Sequence, residues 1–155
     1  MLPDPDALRA WFAEHGMEPA ADVTGSDLAA THALREALHR AAVAVLHGRP
    51  VGAGDLTILQ EALAADQGVD VHHDGARLRL TRPADGAVAL AWLARQAVVD
   101  LTGPTRDRLH ACGDTTCSGI FIDHTGRRRW CSDERCGVRA RVRAHRARER
   151  ERTSG

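Results

Sequence analysis

All four cysteines of this 155-residue chain lie between positions 112 and 136. They form two pairs with four residues inside each, Cys112-Gly-Asp-Thr-Thr-Cys117 and Cys131-Ser-Asp-Glu-Arg-Cys136. Four soft thiolates in two short loops suit a tetrahedral Zn²⁺, whose bonds to sulfur are short and whose filled d shell imposes no other geometry. Two disulfides are the competing use of the same thiols. They need an oxidising compartment, and no signal-peptide pattern is legible at the start of the chain. An iron–sulfur cluster also takes four thiolates, but these spacings match none of the common ferredoxin runs. The expectation is one structural Zn²⁺ on Cys112, Cys117, Cys131 and Cys136. Such a site keeps no open position to activate water and leaves no cysteine over as a nucleophile, so enzyme chemistry is not expected.

The second concentration of chemistry is cationic. Arg127, Arg128 and Arg129 stand next to Trp130, and Arg135, Arg139, Arg141, Arg143, Arg146, Arg148, Arg150 and Arg152 follow. If the last stretch is helical, Arg139, Arg143, Arg146 and Arg150 share one face, and Arg141, Arg148 and Arg152 populate another. Guanidinium groups on a rigid helix bind phosphate oxygens bidentately and can reach guanine O6 and N7. Val142, Ala140 and Ala147 offer only a thin apolar strip beside them. The expected nucleic-acid contacts are Arg127, Arg128, Arg129, Arg139, Arg141, Arg143 and Arg146, with Arg139 and Arg143, near the helix start, reading bases. The competing account is a solvated helix, or one docked on an acidic protein surface, which the first part of this chain or of a second copy would supply.

Charge supports a polyanionic partner. The chain is neutral overall, yet residues 1–103 carry eight arginines against fourteen acids, a balance of −6. Residues 104–155 carry thirteen arginines against seven acids, a balance of +6. Four thiolates and one Zn²⁺ would add −2, leaving the C-terminal part near +4. A basic end on an acidic body suits DNA.

The elements that must position these groups are legible in outline. Ile120–Asp123 and Arg127–Trp130 flank His124-Thr125-Gly126 and read as a hairpin with glycine in its turn. Ser132 or Asp133 caps a helix running through Ala140, Ala144 and Ala147 towards Arg152. Cysteine loop, hairpin and a helix carrying the second cysteine pair in its first turn make a treble-clef-like module. Cys136 near that helix start gains from the dipole, which favours the thiolate.

Ahead of the module the pattern is helical. Met1–Pro5 reads as a lead-in without regular structure. Residues 6–15 form a short helix with Leu8, Trp11 and Phe12 on one side. A long helix, capped by Gly25-Ser26-Asp27, reaches Leu46, and a third, capped by Asp55, covers residues 56–65. Val69-x-Val71 and Leu78-x-Leu80 alternate around an Asp74-Gly75 turn, which predicts a hairpin. A fourth helix, opened by Asp85-Gly86, covers residues 87–101; Leu90, Leu93, Ala94, Ala97 and Leu101 make its stripe, with Val88, Trp92 and Val99 widening it. Thr105–Ala111 is expected to add one helical turn. His32, Glu36 and His39 share one side of the long helix and could hold a metal, but a polar face opposite the leucines explains them without one. His72 and His73 beside Asp74 lack a nucleophile and read as exposed hairpin residues. The fold class is mainly α with small β-hairpins, divided into a helical domain over 1–103 and a zinc module over 104–155.

The chain has no lysine, a bias that fits a GC-rich, actinobacterial genome. Its longest apolar run, Ala87–Ala94, is far short of the roughly 20 residues needed to cross a bilayer. No membrane association and a cytoplasmic location are expected.

Arg128-Arg-Trp-Cys-Ser132, followed by Cys136-Gly-Val-Arg-Ala-Arg141, resembles the CGNR zinc finger, and Phe121-Ile-Asp123 is similar to its Phe-x-Asp segment. The resemblance covers Arg108 to Arg148. It implies a preceding helix-rich ABATE domain and a place among proteins regarded as stress-related bacterial transcription regulators. On that reading the finger binds DNA, and the helical domain senses a small molecule or binds a protein partner. The alternative it leaves is an adaptor that binds protein or RNA without sequence-specific DNA binding. Two departures stand out. Val138 occupies the asparagine position of the Cys-Gly-Asn-Arg signature, and the Asp-Phe-x-Asn-Thr-like stretch of relatives has no counterpart, which implies a shortened N-terminus.

Overall fold

In the computed structural model, which describes residues 2–153, five helices and two small antiparallel hairpins follow one another along the chain. Helix α1 (Pro5–Glu14) begins where proline costs nothing, at its first residue, and the Asp4 carboxylate accepts the Ala7 amide at 2.8 Å. Met1 of the expected lead-in lies outside the described residues. Helix α2 (Gly25–Leu46) is capped one residue earlier than its sequence implied. Thr24 is the cap, and its amide donates to Asp27 while its hydroxyl accepts from the Asp27 amide, a reciprocal capping box. Helix α3 (Ala53–Ala64) starts at Gly52 with no side-chain cap. Asp55, expected there as the cap, instead accepts from Arg40 of α2 at 2.7 and 2.9 Å, because an ion pair across to α2 competes for the same oxygens. Helix α4 (Gly86–Thr102) opens on Asp85, which accepts the Val88 amide at 3.0 Å.

These helices share one core, built on Leu8, Phe12, Leu34, Leu59 and Leu90. Between the leucines, Ala37, Ala41, Ala89, Ala91 and Ala94 are at most 1% exposed. Small side chains at the contacts let helix axes approach closely, which is where the alanine-rich composition is used. Val99, assigned to the inward face, is instead exposed. Five residues beyond the buried Ala94, it falls on the far side of the helix.

Strands β1 (Val71–Asp74) and β2 (Arg77–Leu80) pair from Val71↔Leu80 to Asp74↔Arg77. The turn is therefore Gly75-Ala76 rather than Asp74-Gly75, and Val69 lies outside the strand. Every residue of this hairpin is exposed.

The C-terminal module departs most from expectation. Pro104–Arg108 forms a 3-10 turn, and Leu109–Ala111 is not helical but strand β3. It pairs with β4 (Ile120–Ile122) in the register Leu109↔Ile122, His110↔Phe121, Ala111↔Ile120. The partner predicted for Ile120–Asp123, residues 127–130, forms no strand. Asp123 explains why. Its carboxylate accepts the amides of Thr125 and Arg128, both at 2.8 Å, so the chain curls around Asp123 and the Arg128 amide is withdrawn from any ladder. Ser132 caps the next segment by accepting the Arg135 amide at 3.2 Å. A single wide turn, Asp133–Gly137, then leads into α5 (Val138–Thr153). The module is seated on the body at α2, where His39 Nε2 donates to the Ser118 carbonyl at 2.8 Å.

Candidate zinc centre and arginine helix

The loop from Cys112 to Cys117 closes the β3–β4 hairpin, and the Cys112 amide donates to the Gly119 carbonyl at 2.8 Å. The second pair arrives from the segment before α5, with Cys136 buried in the wide turn. The four sulfur atoms lie within 4.8 Å of one another. Sγ of Cys131 is 3.7 Å from that of Cys117 and 3.6 Å from that of Cys136. Zn–S bonds of about 2.3 Å at tetrahedral angles place sulfurs roughly 3.8 Å apart, whereas a disulfide needs about 2.05 Å. The donor set and spacing therefore fit a four-thiolate zinc ion, and all four cysteines are unbridged. Among the described residues this is the one grouping of histidines, cysteines and acids able to hold a metal.

The backbone prepares the site for thiolates. Burial works against ionising Cys112, yet the Cys131 and Asp114 backbone and the neighbouring Cys131 and Cys136 thiols favour its thiolate and bring its pKa down to about 7. Burial and the crowding of neighbouring thiols push Cys131 up to about 12, and burial raises Cys136. A divalent cation reverses that cost, because its charge is the largest in the site. Zinc would be held by the four cysteines and would supply structure, with no open coordination position.

Gly119 is the tightest fit around the sulfurs. A Cβ there would stand 3.0 Å from Cys131 Sγ and 3.2 Å from Cys117 Sγ. Sulfurs fixed by a metal cannot retreat, so Gly119→Ala is expected to weaken zinc binding, while Gly126→Ala, where nothing lies within 4 Å, should leave it unchanged despite its strained φ. Competition with a chromophoric chelator measures both; equal affinities for the two variants would contradict this account of Gly119. Gly137 is needed for a related reason, since a Cβ there would press on Asp133 Oδ1 and the Trp130 ring.

Between the cysteines of the first pair sits Asp114, fully buried. Arg139 Nε donates to its Oδ2 at 2.9 Å, Arg143 Nη2 donates to its Oδ1, and the Thr116 amide and hydroxyl donate at 3.1 and 3.0 Å. The Arg143 guanidinium first, then the Thr116 amide, holds this carboxyl well below the usual carboxylate range. Arg139 also reaches Cys136 Sγ through Nη2 at 3.2 Å. One guanidinium thus bridges a zinc-ligand sulfur and a buried carboxylate, partly offsetting the negative charge of a four-thiolate site. Neither Asp114 nor Thr116 was singled out from sequence. The available signal was an acid placed inside a cysteine loop of an otherwise basic module.

The predicted nucleic-acid contacts divide into two groups. Arg139 and Arg143 are tied to Asp114, and Arg143 also donates to the Thr116 hydroxyl at 3.1 Å. Arg141 pairs with Asp133 at 3.2 Å and lies over Trp130, whose ring also meets Arg129, with guanidinium carbons 5.8 and 5.7 Å from the ring centre. Arg128 lies over Phe121 at 4.8 Å and donates to the Cys131 carbonyl at 2.7 Å. Among the described residues, the side chains of Arg127 and Arg146 have no polar partner, and the same holds for Arg135, Arg148, Arg150 and Arg152. Helix α5 buries no residue at all. The candidate metal face of α2 disperses: His32 bonds the Leu2 carbonyl, Glu36 meets Arg35, and His39 meets Ser118.

Two family models match the chain. Residues 1–104 match the ABATE family, described as "Putative stress-induced transcription regulator", and residues 108–149 match the CGNR zinc finger. No curated protein matches.

Proposed function

The chain belongs to the ABATE family and ends in a CGNR zinc finger, and from that premise we propose that it regulates transcription by laying α5 on DNA. The observation that carries the reading is a 16-residue helix with no buried residue, anchored at one end on a zinc centre and lined beyond it with unpartnered guanidiniums. Arg146 and Arg150 continue the face that Arg139 and Arg143 begin, past the reach of Asp114. The division of labour is therefore revised: Arg139 and Arg143 orient the helix, and Arg127, Arg129, Arg146 and Arg150 meet phosphates. Val138, where the family signature has asparagine, is exposed at 44% and offers no hydrogen bond to a base from its side chain. The zinc is structural on this reading, and the protein is not an enzyme. Among the described residues no helix is long and apolar enough to cross a membrane, and a cytoplasmic protein acting on the chromosome is the proposed setting. The helical body serves as the sensing or partner-binding part.

Phosphate-dominated binding releases counterions, so affinity for duplex DNA should fall steeply as salt rises. Gel-shift titration at several salt concentrations measures the slope. Arg146→Ala combined with Arg150→Ala should flatten it by about 2 in log–log terms while zinc content stays the same. Micromolar protein that leaves duplex DNA unshifted at low salt would overturn the proposal. The internal engagement of Arg128, Arg139, Arg141 and Arg143 takes four of the seven expected contacts, the two expected base readers among them, so the second reading is an adaptor that binds protein or RNA without sequence-specific DNA binding. RNA out-competing duplex DNA in the same titration would select it.

A further inference from the structure

The helical body carries a half-open cleft of about 500 Å³ between α1, α2 and α4. That volume lies within the range of pockets that take drug-sized ligands. Its walls are apolar over most of their extent, with Trp11 from α1, Leu34 and Leu38 from α2, and Leu90 and Leu93 from α4. The polar groups are confined to one edge of α2: Thr31, His32 and Arg35. Two of them are already engaged. The Thr31 hydroxyl donates to the Asp27 carbonyl at 2.7 Å, and His32 Nε2 donates to the Leu2 carbonyl at 3.2 Å. Arg35 uses Nε and Nη2 on the adjacent Glu36, and its Nη1 has no partner among the described residues. Among the described lining residues Arg35 carries the one permanent charge, half exposed at the rim and paired with Glu36 just outside the apolar walls.

We propose that this cavity binds a small amphiphilic carboxylate, its chain or ring against Trp11, Leu90 and Leu93 and its carboxylate on Arg35. The Nη1 edge of Arg35, not committed to Glu36, donates to that carboxylate, and the apolar walls reward burial of the remainder. The position gives the site a route to the zinc module. Leu38 and Ala97 line both this cavity and a second recess, of about 320 Å³, whose other walls include Ile120 and Phe121 of strand β4. His39, the residue after Leu38, holds the Ser118 carbonyl beside the zinc ligands. A ligand that shifts this stretch of α2 shifts the seat of the module. This identifies the effector class of the sensing body and so rests on the functional reading above.

Calorimetric titration of the full zinc-loaded chain with decanoate and with decan-1-ol tests the site. Decanoate should bind one to one, and decan-1-ol roughly tenfold more weakly. Arg35→Gln, a half-exposed position whose replacement spares the core, should erase that difference. Leu93→Trp should fill the chamber and abolish binding of both probes. Absence of decanoate binding, equal affinity for the two probes, or binding indifferent to both variants would overturn the proposal. Gel shifts run alongside separate the two readings. DNA binding without decanoate binding removes only the cavity assignment, and decanoate binding without DNA binding removes only the DNA reading.

Discussion

Chelating the zinc is expected to unfold the C-terminal module while helices α1–α4 stay folded. The module has almost nothing else to hold it. Its buried apolar side chains are Leu109, Phe121 and Cys136, and α5 adds none. A segment of that size cannot bury enough surface to offset its chain entropy, whereas zinc contributes about 10–16 kcal/mol in comparable small modules. That exceeds the whole stability of many domains. The body keeps its own core on Leu8, Phe12, Leu34, Leu59 and Leu90, none of which touches the sulfurs. Far-UV circular dichroism before and after chelation should lose the signal of α5 alone, and Cys136→Ser should reproduce the loss without a chelator. Elemental analysis should find one zinc per reduced chain. A helix α5 that survives complete metal removal would refute the dependence.

The second large effect is expected at Asp114. Its carboxylate gathers Arg139, Arg143 and Thr116, and Arg139 in turn touches a ligand sulfur. Removing a group that orients a metal ligand from outside the coordination shell typically costs on the order of 10–100-fold in metal affinity. Asp114→Ala should fall in that range and should also release the first turns of α5, which on the proposed function weakens DNA binding beyond what the zinc loss explains. Asp114→Asn, which keeps the shape and loses the charge, should lie between it and the native protein. Asp133→Ala is the contrasting case. Asp133 pairs with Arg141 where both side chains are more than half exposed, and such surface pairs contribute little. Chelator competition measures zinc affinity in all three variants. Equal behaviour of Asp114→Ala and Asp133→Ala would show that the buried clamp does not support the centre.

Much of the site was legible because it is local. Two cysteine pairs, each with four residues inside it, within 25 positions leave a folded chain few ways to use them other than together, and the thiols do converge. The spans of α1–α4 were read to within three residues at either end, since apolar periodicity and capping chemistry operate within a turn or two, whereas α5 begins at Val138, a wide turn later than its cap implied. The misplaced details have a common origin. Thr24 and Asp27 share a cap that either could have led, Asp55 was drawn off by Arg40, and Asp123 took the amide that a hairpin would have used. In each case a polar side chain had two geometrically acceptable partners, and the three-dimensional neighbourhood chose.

The arginines show the limit most clearly. Their number, their helical spacing and the positive balance of the C-terminal part follow from the order of residues alone, as do the zinc ligands and the mainly helical class. Which guanidiniums remain available to a partner was decided only by tertiary structure. A long cationic side chain has no preferred partner until folding sets an acid within its reach, and burying Asp114 between the cysteines claimed Arg139 and Arg143 while leaving Arg146 and Arg150 beyond it.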